Sequence, residues 1–488
     1  MTMIRNRRHL LSLLLFVSSL LAWLPGSHVT KLIIENDPVI LGRYSSGHFG
    51  ALLLLTLVLL TAAAVMFFTR RKPVAETVFA LLMVYLSTGL SAFVLVVGSG
   101  LVNKPRFIEQ PVSGVDPDTG IVLSGTVRHW IPNQRHELLQ EDKPEQLRSY
   151  PDAPAGYPAF PLVLTSDAHG FRNPEQREQY DIVAVGDSFV AGSHVSDEHA
   201  WVDLLRQRTG QSIYNLGVSG TDPLVYLNNF VTVGRKLKPE TVLLMLYEGN
   251  DFRDAPPVPK AAAGMKRAAI KDPTLSIGFL TKASPVTQGL RRLTEDVLAQ
   301  VGADAPVPGY ADTVGFMPLR IATPAGVQAY SFEPKRLLYL GDSEQAFAAS
   351  SDWQNVRDVL EQFVMLSQRD GFRLVIAYAP SAPHVVLPLA AGQIPAQQLL
   401  NFARMQGKGL PDDADTYKQQ VLARLDSQEN VWMAWCRERG VECVSTTRPL
   451  REAAAGGRQV YFTYDQHWTP DGNAVVAGVL AGYLSGGR

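Results

Sequence analysis

The chain is short of cysteine, of net charge and of internal repetition, and each shortage narrows what it can be. Only Cys436 and Cys443 occur in 488 residues, so one disulfide is the most it can form. Neither has a histidine or further cysteine nearby at ligand spacing, which excludes a zinc site built on them. Lys and Arg total 45 against 46 for Asp and Glu. That balance leaves no electrostatic footprint for nucleic acid or for a strongly charged partner. No repeat divides the chain into an array, and no metal or organic cofactor is implied.

Charge is also missing locally. The runs 9–30, 44–69 and 77–103 carry no charged residue and hold most of the excess in a hydrophobic fraction of 46%. A helix crosses the hydrocarbon layer with about 20 mostly apolar residues. The stretches LLLLTLVLLTAAAVMFF and VFALLMVYLSTGLSAFVLVV exceed what a buried core helix needs. The expectation is a membrane segment over 1–103 with three transmembrane helices, near 9–27, 48–69 and 76–99. The first run, LLSLLLFVSSLLAWL, is shorter and reads either as a retained helix or as a cleaved signal peptide. No small-x-small cleavage site around 23–25 favours the retained helix.

Arg5, Arg7 and Arg8 precede the first run, and Arg70, Arg71 and Lys72 separate the second from the third. With both clusters inside, the amino terminus is cytoplasmic and everything after 103 lies on the periplasmic side of the inner membrane. Under that placement Cys436 and Cys443 are a disulfide candidate. Two reduced, buried thiols read equally well.

Residues 104–178 are rich in proline and polar side chains and read as a linker and lead-in. A catalytic domain follows over 179–488. Apolar runs at 182–185, 212–216, 241–247, 373–379 and 441–445 alternate with helical patterns, the last at 474–484. The fold class expected is α/β, three layers around a mostly parallel five-stranded sheet. Sites on such sheets gather at the carboxyl ends of the strands. Residues 252–349 interrupt the alternation and read as an inserted subdomain with a β-hairpin around 329–340.

The strand ends carry the chemistry. Gly186-Asp187-Ser188 follows the first strand, and Gly217 follows the second. Gly249-Asn250-Asp251 follows the third. Near the carboxyl terminus Asp465 and His467 precede Thr469 and Pro470, an N-cap and first helical residue. A serine at a strand-to-helix turn exposes its hydroxyl beside backbone N–H groups. By itself it is more often only a helix cap. In an extended segment, residues two apart share a side, which would bring Asp465 to His467.

These four blocks, in this order, resemble the SGNH (GDSL) hydrolase family, over about 165–255 and 350–488. The stretches 167–173 and 195–201 also look like its longer members. The resemblance implies a flavodoxin-like sheet, Ser188 as nucleophile, His467 as general base and Asp465 as its orienting acid. It also implies an oxyanion hole from the Ser188 N–H, the Gly217 N–H and the Asn250 side chain. Asp187 and Asp251 read as structural. The spacing departs from the D-x-x-H of many members. D-x-H followed by tryptophan is similar to the SGNH-like O-acetyltransferases that modify alginate and related exopolysaccharides. Ser193, His194, His199, Ser219 and His384 read as bystanders, and Asp471 as the next acid to test.

Three functions follow: an esterase acting through an acyl-Ser188 intermediate, an O-acetyltransferase passing the acyl group to a polysaccharide hydroxyl, or a binding module with a dead triad. Intact Ser, His, Asp and Asn argue against the third. The partners implied are an acylated carbohydrate or other ester and, for a transferase, a separate membrane protein that delivers the acyl group.

Overall fold

Short, wholly apolar runs set the centre of the catalytic part. In the computed structural model, β1 (Ile182–Val185), β2 (Ile213–Asn215), β3 (Thr241–Tyr247), β4 (Arg373–Ala379) and β5 (Glu442–Ser445) form one sheet. Its order is β5-β4-β3-β1-β2. Every pairing is parallel. All of β1 and β3 is buried, because helices cover both faces. Ile182 and Ala184 face one core with Trp201, Val476 and Leu480. Val183 and Val185 face the other with Leu227, Leu360 and Trp432. The five expected strands and the three layers are therefore as read from the alternation of apolar runs.

The structure describes residues 2–23, 46–68, parts of 73–94, 107–142, 153–174, 177–260, 265–270 and 317–486. They divide into two units, 1–105 with 275–306 and 106–274 with 307–488. In the first, helices Thr2–Leu21 and Ser46–Phe68 lie together, with Ser12 Oγ donating to the Ala63 carbonyl at 2.8 Å. Among the described residues no helix is long and apolar enough to cross a membrane. This corrects the expected three transmembrane helices and, with them, the multi-pass inner-membrane placement. Helix Thr2–Leu21 spends its first turns on Arg5, Arg7 and Arg8. Helix Ser46–Phe68 opens on Ser46, Gly47 and His48 and contains Thr56 and Thr61. The run 77–103 falls partly outside the described residues.

A second difference lies in the segment read as linker and lead-in. Strands Phe107–Val115 and Val122–Trp130 pair antiparallel along their whole length. Arg135–Gln140 pairs with Phe160–Thr165. The insert's hairpin joins Met317–Thr323 to Gly326–Phe332, upstream of where it was expected, and helix Pro334–Tyr339 follows it. The cysteines, at the end of helix Ser427–Arg439 and in β5, are joined as a disulfide.

Candidate active site

The turn after β1 places Ser188. Asp187 caps helix Ser188–Ala191, accepting from the Phe189 N–H at 2.8 Å. The Ser188 N–H thus stands in the first turn, where helix donors have no intrahelical partner. His467 Nε2 lies 2.7 Å from Ser188 Oγ, and its Nδ1 lies 2.5 Å from Asp465 Oδ1. Residues 279 positions apart have become a serine–histidine–aspartate line. The D-x-H spacing works through a tight turn, not through an extended strand. Asp465 Oδ1 also accepts the His467 backbone N–H at 2.8 Å, folding the carboxylate back over its own chain.

The imidazole is held by stacking. Phe189 lies against one side with ring centroids 4.8 Å apart, and His194 against it at 4.3 Å. Burial alone would push His467 down, but the Asp465 carboxylate outweighs it and holds the imidazole above its ordinary value. Burial likewise works against ionised Asp465, yet His467 and then His194 keep its carboxyl well below the usual range. An ionised acid beside a base of raised affinity for protons is the electrostatic arrangement that proton transfer from serine needs.

The oxyanion candidates divide. Asn250 caps helix Asp251–Asp254, and its Oδ1 is buried without a hydrogen-bond partner among the described residues. The preceding Gly249 carbonyl accepts a hydrogen bond from Arg336, on the insert's helix Pro334–Tyr339. A Cβ on Gly249 would fall 2.4 Å from the Tyr247 ring, so the loop needs glycine to lie this close. The Gly217 N–H, by contrast, donates to Asn215 Oδ1 at 2.9 Å. A Cβ on Gly217 would meet the Ala191 nitrogen at 2.4 Å, so the glycine lets the end of β2 press on the nucleophile's helix.

Asp187 and Asp251 are buried behind these loops. Burial raises Asp187 to about 6. Burial and then the charge of Asp187 raise Asp251 well above the carboxylate range. Asp251 accepts from Tyr226 Oη at 2.7 Å and from the Tyr247 N–H at 2.8 Å.

Several residues passed over in the sequence belong to the site or its support. His194 Nε2 sits 3.6 Å from Asp465 Oδ2, and burial pushes its imidazole down to about 4. Ser193 and Ser219 hydrogen-bond to each other. Asp142 accepts four backbone N–H groups, those of Tyr157 (2.6 Å), Thr463 (2.7 Å), Tyr464 (3.0 Å) and Asp465 (3.2 Å). Arg172 donates to the carbonyls of Ala191, Gly192 and Val195 and to Asp197, clamping the loop that carries His194. No local pattern announces either clamp.

His384 is remote from this chemistry. It is fully buried, 2.8 Å from both Glu248 Oε1 and Asp426 Oδ1. Burial alone would lower it, but the Glu248 and Asp426 carboxylates together outweigh this and raise it to about 10. It ties the ends of β3 and β4 behind the Asn250 loop. His199 remains half exposed on its 3-10 turn.

Residues 403–487 match the family model described as "SGNH hydrolase-like domain, acetyltransferase AlgX". The matched segment, which holds Asp465 and His467, is thus SGNH hydrolase-like, a class that acts on ester bonds as hydrolases or acyltransferases. A search of curated proteins returned no match. Among solved structures, a member of the lipolytic G-D-S-L family from Veillonella parvula is 10% identical, covering 62% of this chain and 97% of its own, with a TM-score of 0.29. A structure described as a lipolytic protein of that family from Desulfitobacterium hafniense is 11% identical, covering 62% and 97%, with a TM-score of 0.28. One described as an acylhydrolase from Bacteroides fragilis is 11% identical, covering 65% and 92%, with a TM-score of 0.26. At such scores these likenesses carry no argument.

Proposed function

We propose that the chain cleaves short-chain acyl esters of carbohydrate through an acyl-Ser188 intermediate. The observation that carries this is the continuous hydrogen-bonded line from Ser188 Oγ through both nitrogens of His467 to Asp465. His467 Nε2 takes the Ser188 proton as Oγ bonds to the ester carbonyl carbon. The resulting oxyanion is met by the Ser188 N–H and the Asn250 amide. Gly217 joins them only if its N–H leaves Asn215. As the carbon–oxygen bond to the alcohol breaks, Nε2–H gives its proton to the departing oxygen. Asp465 stays ionised and holds Nδ1–H throughout.

The hollow lined by Ser188, Ser193, His194, His467 and Trp468 measures about 10 Å³, the space of about one water. That size supports an acetyl-like group and not a fatty chain. A separate groove of about 540 Å³ is lined by Tyr157, Phe160, Pro161, His199 and Pro470. The buried Phe462 ring packs between Tyr157 of this groove and His194. An aromatic and polar wall of this kind suits a sugar chain.

The second reading, O-acetyltransfer to a polysaccharide hydroxyl, is favoured by the match of 403–487 to an acetyltransferase family model. The same acyl-Ser188 serves both, and the groups excluding water from it decide the acceptor. The deciding experiment incubates the protein with an acetylated glycan and a non-acetylated oligosaccharide. Free acetate supports the esterase, and acetyl on the oligosaccharide supports the transferase. Neither product, with Ser188 unlabelled by a fluorophosphonate, refutes both.

A further inference from the structure

His194 gives the triad a use beyond acyl transfer. His194, Asp465 and His467 each present one ligand atom, and these atoms all lie within 4.8 Å of one another. Two imidazole nitrogens and one carboxylate oxygen suit zinc and similar divalent ions, while magnesium and calcium prefer oxygen donors.

Distances support the same assignment. At zinc bond lengths, ligand atoms on a tetrahedron lie about 3.4 Å apart, and His194 Nε2 lies 3.6 Å from Asp465 Oδ2. The 2.5 Å between His467 Nδ1 and Asp465 Oδ1 suits a shared proton. That contact has to open, by about 1 Å, to admit an ion. Side-chain exposures of 28% for His194, 31% for Asp465 and 22% for His467 leave a path from solvent and a fourth position for water. The donors are already oriented. Asp142 fixes the backbone of Asp465, Arg172 fixes the loop of His194, and the two imidazole rings lie with centroids 4.3 Å apart.

We propose that His194, Asp465 and His467 bind a zinc-type divalent cation that switches the triad off. The proposal rests on the triad reading above, since two of the three ligands are triad members. The ion takes the lone pair of His467 Nδ1, and the proton held there is given up while Nε2 takes one from solvent, so the ring stays neutral. Nε2 then carries its N–H and has no lone pair left to accept the Ser188 proton. His194, which in the metal-free site supports His467 and Asp465, serves as the ligand that makes inhibition effective.

The test uses the whole chain, stripped with EDTA, with zinc chloride as probe and fluorophosphonate labelling of Ser188 as readout. Each variant is compared with its own zinc-free rate. Zinc should slow wild-type labelling about tenfold or more and EDTA should restore it, while magnesium and calcium at equal concentration do nothing. Losing even an outer-sphere partner of a metal costs about 10- to 100-fold in affinity, and losing a ligand costs no less. His194→Gln should therefore need at least about tenfold more zinc for the same inhibition, whereas His194→Cys, which keeps a zinc ligand, should remain sensitive. Unchanged labelling in zinc, or equal inhibition of His194→Gln and wild type, overturns the proposal. Equilibrium dialysis against zinc chloride reads the site without activity. If Ser188 is unlabelled in zinc-free wild type, the triad reading fails. The dialysis then still decides the metal site, because one bound zinc lost in His194→Gln supports it and no bound zinc overturns it.

Discussion

Replacing Asp142 should disable Asp465, the acid of the proposed triad, without touching it. Both carboxylate oxygens are used, Oδ2 by the N–H groups of Tyr157 and Thr463 and Oδ1 by those of Tyr464 and Asp465. Thr463 and Tyr464 are 1% and 6% exposed, so in Asp142→Ala their donors find no water, while Tyr157 and Asp465 can. An orphaned buried donor costs about 1–3 kcal/mol, so two give about 4 kcal/mol. The segment 463–465 then loses its anchor immediately before the triad acid. A misplacement of about 1 Å costs about a hundredfold in rate. Asp142→Asn keeps the shape, so it separates hydrogen bonding from packing. One oxygen becomes an NH2 group facing two N–H donors, and the loss should be intermediate. Urea unfolding midpoints measure the stability, and fluorophosphonate labelling rates measure the alignment of Ser188. Wild-type values of both in Asp142→Ala would refute the clamp.

Ser188→Ala should abolish fluorophosphonate labelling, and labelling equal to wild type would remove the nucleophile assignment. Asn250→Ala should leave Ser188 labelled but slow ester turnover about a hundredfold, one oxyanion donor being lost. An unchanged rate would place the donor elsewhere. The rate should rise with pH through a midpoint above the ordinary imidazole value of about 6.5, because Nε2 must be unprotonated and Asp465 raises its affinity for protons. In Asp465→Asn that midpoint should move to lower pH while the plateau falls by as much as about ten-thousandfold, and a midpoint left in place would refute the pairing. Opening the Cys436–Cys443 bond, which spans a sequence separation of 7, should lower stability by about 2.5 kcal/mol. Equal unfolding midpoints with and without reductant would contradict this.

What the sequence determined by itself was local. Apolar runs such as Ile182–Val185 and Val242–Leu246 read as central strands, since nothing in them gains from water on either face. Glycine turns and caps at their ends announced Ser188 and Asn250, and Thr469 with Pro470 announced the last helix and so the place of His467. Hydropathy served less well at the amino terminus. It counts apolar residues without weighing the arginines and polar turns that share a helix with them, and no described helix there is long and apolar enough to cross a membrane. The tertiary structure alone decided everything that depends on meeting across distance. Asp142 reaches the triad loop from 323 residues away. Arg336 takes the Gly249 carbonyl from inside the insert, and Gly217 proves to be engaged by Asn215. His194 looked like a solvated bystander until folding laid it on His467 and beside Asp465. A strand or a cap is specified by neighbours within a few positions. A buried carboxylate or a stacked imidazole takes its meaning from groups that only the folded chain brings near.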